Sequence, residues 1–101
     1  LELRPSFRNA RFHQALCLEN RGKTQQAIAA FEQLANLKVD HSGAWAGLAR
    51  LYEQSKQFVK TEKAFVKLIE ISPRATVYYF GLAQFYQRIN IRKYFLSHQK
   101  K

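Results

Sequence analysis

The sequence predicts an all-α chain, an α-solenoid of antiparallel helix hairpins in about three repeats, and three observations carry that prediction. Apolar residues return at three-and-four spacing: Trp45, Leu48, Leu51 and Tyr52 form one stripe, and Phe58, Phe65, Leu68, Ile69 and Ile71 form a second. Each stripe is the inward face of an amphipathic helix. The stripes are separated near Ser55 and Lys56 and stopped by Ser72 and Pro73, so residues 42–73 read as two helices and a turn. The pattern then recurs at an offset of 34 residues, pairing Trp45 with Tyr79, Leu48 with Leu82, Tyr52 with Tyr86, Ala15 with Ala49, Phe31 with Phe65 and Leu34 with Leu68. A two-helix unit of this length cannot bury its apolar face alone, whereas stacked copies bury it jointly.

Taken in order, residues 1–7 read as the tail of a preceding repeat, because Pro5 stands two periods before Pro73. Repeat 1 spans 8–41. Its first helix, from about residue 7 to 20, carries Phe12, Ala15, Leu16 and Leu18, and Gly22 suits the left-handed exit from it. The second, 24–37, carries Ala27, Ile28, Phe31, Leu34 and Ala35, with Thr24 at its start. Val39 holds the register of the two prolines, and Asp40, His41, Ser42 and Gly43 supply the break. Repeat 2, 42–75, places helices near 43–55 and 58–71. Repeat 3, 76–101, has a strongly specified first helix in Tyr78, Tyr79, Leu82, Ala83, Phe85 and Tyr86. Its second is divergent or truncated: Phe95 replaces Ala27 and Thr61, and Gln99 replaces Phe31 and Phe65. Residues 91–98 are therefore expected to form a short, fraying helix that caps the stack or ends it.

Composition bounds the function. The 101 residues, 47% hydrophobic with four glycines and two prolines, suffice for one compact domain without linkers. No apolar run approaches the roughly 18 to 20 residues a membrane helix needs, and no leader pattern opens the chain, so a soluble, cytoplasmic chain is the expectation. The one cysteine, Cys17, shares its register with Leu51 and Phe85 and is expected to be a buried small hydrophobe. His13, His41 and His98 are far apart in the chain and the glycines form no phosphate loop, so no catalytic residue, metal site or cofactor is expected.

The formal net charge of +10 points to an acidic partner. Lys56, Lys60, Lys63 and Lys67, spaced four, three and four, fall on one stripe of the middle repeat's second helix and form a ridge on the outer, convex side. Such a ridge is ordinarily a solvated face. Its functional alternative is contact with nucleic acid or another acidic surface, with affinity that falls with salt; Arg92, Lys93, Lys100 and Lys101 would extend the field. The ridge has no interleaved aromatics in sequence, and lysine is a point charge, both of which count against sequence-specific readout.

The arrangement of Trp45, Leu48, Ala49, Tyr52, Phe58, Phe65 and Pro73 resembles the tetratricopeptide repeat, with weaker copies in Ala15, Gly22, Ala27 and Phe31 and in Tyr79, Leu82, Ala83 and Tyr86. The resemblance covers nearly the whole chain. Thr61, where the family usually has alanine, and Phe95 depart from it, and the related pentatricopeptide repeat fits less well. What the resemblance implies is a right-handed superhelix whose first helices line a concave groove, a non-catalytic scaffold or adaptor that binds a peptide or helix of a partner protein.

The groove positions the resemblance implies are Asn9, Phe12, Leu16, Glu19 and Asn20, then Ala46, Arg50, Glu53 and Gln54, then Val77, Phe80, Gln84, Gln87 and Arg88. Phe12, Leu16, Ala46, Val77 and Phe80 are more apolar than a solvated surface requires. Glu19 and Glu53, one repeat apart, are expected to meet a basic or amide group of a ligand or to serve solubility alone. The positions that grip the terminal carboxylate of chaperone tails in one subset of the family are here Phe12, Leu16, Gly47, Val77 and Gly81, none of which suits that chemistry. Self-association through Tyr94 and Phe95 is a further expectation.

Overall fold

The computed structural model describes residues 4–37 and 40–99; Leu1 to Leu3, Lys38, Val39, Lys100 and Lys101 lie outside the described residues, as do the side chains from Tyr94 onward. The expectations placed on Val39 and on Tyr94 and Phe95 fall there. Five helices follow one another: α1 (Pro5–Asn20), α2 (Thr24–Ala35), α3 (Ser42–Gln54), α4 (Phe58–Ile71) and α5 (Thr76–Gln99), and the described residues contain no strand. Each packs against its chain neighbour, and α1 also touches α3. The result is elongated, with extents of 56 × 32 × 19 Å.

Local chemistry sets the helix ends. Pro5 opens α1 in its first turn, where its fixed φ suits the helix and its missing N–H costs nothing. The two hairpin turns are built alike and stand 34 residues apart. After α1, Gly22 N–H donates to the Glu19 carbonyl and Lys23 N–H to the Leu18 carbonyl; after α3, Lys56 N–H donates to Glu53 and Gln57 N–H to Tyr52. That paired pattern closes a helix through a left-handed residue, here Gly22 at φ 76° and Lys56 at φ 61°. At the start of α3, the His41 imidazole Nδ1 accepts the Ala44 N–H at 3.1 Å.

The core runs through α1 to α4, where Ala15, Ala27, Ala30, Ala44, Ala49 and Ala64 bring the backbones close and Phe31, Leu34, Leu48 and Leu51 fill the space between them. Gly47 lies against the Phe31 ring and Gly81 against the Phe65 ring, the same relation one repeat later. Thr61, at the usual alanine position, is fully buried. Its hydroxyl donates to the Gln57 carbonyl at 3.0 Å, so the extra polar atom is satisfied within its own helix.

Three sequence expectations need correction. Cys17 is exposed, although Leu51 and Phe85 in the same register are buried. The reason is positional: the Phe85 ring packs on Phe58 and Phe65 of the preceding helix α4, and α1 has no earlier helix among the described residues. Residues 91–98 do not form a separate helix; they are the end of α5, which runs unbroken through Asn90, the register of Gly22 and Lys56. In a folded-back hairpin Phe95 and His98 would take the places of Thr61 and Ala64, which are too close to the facing helix for residues of that size. α2 ends at Ala35 instead of near Leu37.

The face of α3 that α4 covers is therefore open on α5. Tyr52 is 6% exposed and its counterpart Tyr86 41%; Ala49 is buried and Ala83 exposed.

Candidate functional site

The polar side of α1, α3 and α5 is tied together by two forked ion pairs. Arg50 donates from Nε and Nη2 to the two Glu19 oxygens at 3.0 and 2.9 Å. Arg88 does the same to Glu53 at 2.6 and 2.7 Å. The two carboxylates are one repeat apart, and each accepts from an arginine of the next odd-numbered helix, a planar geometry that only arginine provides. The carboxylate hydrogen bond raises both guanidinium pKa values further. Glu19 and Glu53 are thus engaged by this chain's own arginines, a correction to their expected role toward a ligand. Sequence spacing did not show it because the partners lie 31 and 35 residues away on other helices.

The apolar candidates divide in two. Phe12 is half-buried, its ring 6.0 Å from Phe31 and 5.1 Å from His41, and it occupies the space a side chain on Gly43 would need. Leu16 packs against the same core, and Ala46 is half-buried. Val77 and Phe80 are 64% and 63% exposed. Asn9 and Gln84 are exposed beside them in the sequence-predicted set.

The lysines also divide. Lys56 is not part of a continuous ridge: it precedes α4, in the left-handed turn, and borders a cleft with Arg50, Glu53, Gln54, Arg88 and Arg92. Lys60, Lys63 and Lys67 line a different cleft with Trp45, Tyr52 and Val66, and with Glu32, Glu62 and Glu70. Aromatics do accompany these lysines in space: the Lys60 ammonium lies 5.6 Å from the Tyr52 ring centre. The Tyr52 hydroxyl donates to Glu32 at 2.5 Å, and burial followed by that bond pushes the phenol well above its usual range. Lys67 lies 4.0 Å from Glu70. Three lysines against three carboxylates leave this second cleft balanced in charge.

No family model matches the chain, and no solved structure matches it. Among curated proteins, the protein O-mannosyl-transferase Tmtc3 of Drosophila melanogaster is 30% identical over 70 residues. That alignment covers 67% of this chain but 8% of Tmtc3. The distant similarity and the all-helical architecture are compatible with a tetratricopeptide-like fragment. They give no positive sign of catalysis in this chain. Among the described residues no group of three or more His, Cys, Asp or Glu is placed to hold a metal ion, and no helix is long and apolar enough to cross a membrane.

Proposed function

We propose that this chain is a non-catalytic interaction scaffold, a right-handed solenoid of tetratricopeptide-like hairpins that takes a peptide or helix of a partner protein against the face formed by α1, α3 and α5. Asn9, Phe12, Leu16, Ala46, Arg50, Val77, Phe80, Gln84 and Arg88 line that groove. The observation that carries the reading is the exposure of Val77 and Phe80 next to helices already braced by the Arg50–Glu19 and Arg88–Glu53 pairs. Exposed apolar side chains on a rigid polar frame are what a protein interface offers its partner. The alternative is a nucleic-acid or acidic-surface binder working through Lys60, Lys63 and Lys67. The exposed lysines favour it, and the three carboxylates among them count against it.

Capture from native lysate separates the two, using wild type, Phe80→Glu and Lys60→Glu/Lys63→Glu, each with its helix content checked by circular dichroism. The scaffold reading expects a partner retained by the lysine variant and lost with Phe80→Glu. Loss with the lysine variant alone, or co-purifying nucleic acid that Phe80→Glu leaves in place, would sink it.

A further inference from the structure

The proposed groove ends in a corner with a marked excess of positive charge. Arg50 and Gln54 reach it from the last turns of α3, Lys56 from the turn that follows, and Arg88 and Arg92 from successive turns of α5. Glu53 is the single carboxylate bordering this cleft. It is occupied by Arg88, while Arg50 turns to Glu19. Lys56 and Arg92 have no carboxylate partner among the described residues. Both are nonetheless held in place: Lys56 by its turn, and Arg92 by stacking over the Phe58 ring at 5.3 Å. Like charges held this close raise each other's energy until an anion joins them. The cleft around Lys60 and Lys63 carries its own counter-charges and has no such demand.

We propose that this corner is an anion site for a carboxylate side chain, so that the groove's ligand is an acidic peptide segment of a partner protein; the proposal rests on the scaffold reading. Phe80, Gln84 and Arg88 stand at successive i, i+4 positions of α5 and so form one stripe leading from the apolar end of the groove to the cleft. Eight residues of helix span about 12 Å, which an extended peptide crosses in roughly four residues. The fitting ligand therefore has an apolar residue on Val77 and Phe80, and glutamate or aspartate about four residues away beside Lys56 and Arg92.

Fluorescence anisotropy at physiological salt tests this with a short labelled peptide, acetylated and amidated, carrying one phenylalanine, a glycine-serine spacer and a run of glutamates. The comparison probes are the same peptide with glutamines and a thymidine oligonucleotide. The variants are Lys56→Asn/Arg92→Gln, Lys63→Gln/Lys67→Gln and Phe80→Glu. The first two remove the same charge, and asparagine tolerates the left-handed turn better than lysine, so weaker binding there is not a folding defect. Lys56→Asn/Arg92→Gln is expected to weaken the glutamate peptide by at least about tenfold, and Lys63→Gln/Lys67→Gln by less than about twofold. Equal losses in the two charge variants, indifference to glutamate against glutamine, no binding by wild type, or preference for the oligonucleotide each overturns the anion site. Loss with Phe80→Glu but not with Lys56→Asn/Arg92→Gln overturns it while leaving the groove standing. Indifference to Phe80→Glu overturns the groove reading as well.

Discussion

At Gly47 an added methyl group would lie 2.7 Å from atoms of the Phe31 ring, a side chain with no exposed surface and no room to withdraw. In an open helix, Gly→Ala stabilises by about 0.5–1 kcal/mol; here overpacking reverses the sign, and Gly47→Ala is expected to cost about 1–3 kcal/mol in a urea titration. His41 carries a different sensitivity. Its pKa lies below the usual 6.5, first through burial and further through the nearby Arg8 charge, while a hydrogen bond to its own backbone works the other way. The unfolded chain therefore binds the proton more readily. Stability from this residue is fully present above pH 6.5 and is lost as the pH falls from there through the folded pKa. Protonation also removes Nδ1 as acceptor for the Ala44 N–H. Thermal melting across this window should show the decline in wild type, and His41→Asn, which caps without titrating, should flatten it.

Among the elements, α5 has the least support. α1 to α4 are each held on more than one side, but α5 packs along α4 alone, and Phe85 is its one fully buried side chain among those described. Backbone hydrogen bonds without a packed neighbour open locally at low cost. Amide exchange should accordingly be slowest around Phe85 and at least about tenfold faster over residues 91–99, read by mass spectrometry of overlapping fragments. The four earlier helices were legible in sequence because apolar period, turn residue and repeat register agreed at every one. α5 was not, because Asn90 is a good turn residue in the right register, and only the bulk of the residues after it forbids the hairpin that the register implies. Gly22 announced its turn, whereas Lys56 reaches the same conformation with a side chain that gives no local sign of it.

For the whole molecule, the unbroken α5 decides where the charge goes. A third hairpin would have put Arg92 at the start of a returning helix, in the register of Phe58. The straight helix carries it one turn beyond Arg88, beside Lys56, and assembles the cationic corner from three places in the chain. That corner was illegible in sequence for this reason, while the exposed Val77 and Phe80 were readable as apolar residues at groove positions. The lysine stripe was half legible: spacing grouped Lys60, Lys63 and Lys67 correctly but could not show Trp45 and Tyr52 beside them or the left-handed turn that removes Lys56. The open register at Cys17 has a practical consequence of a different kind. The chain has one cysteine and one tryptophan; the thiol is exposed on α1 and Trp45 sits on α3. An acceptor dye coupled to the native thiol turns those two helices into an optical ruler, reporting their separation by energy transfer without a single substitution.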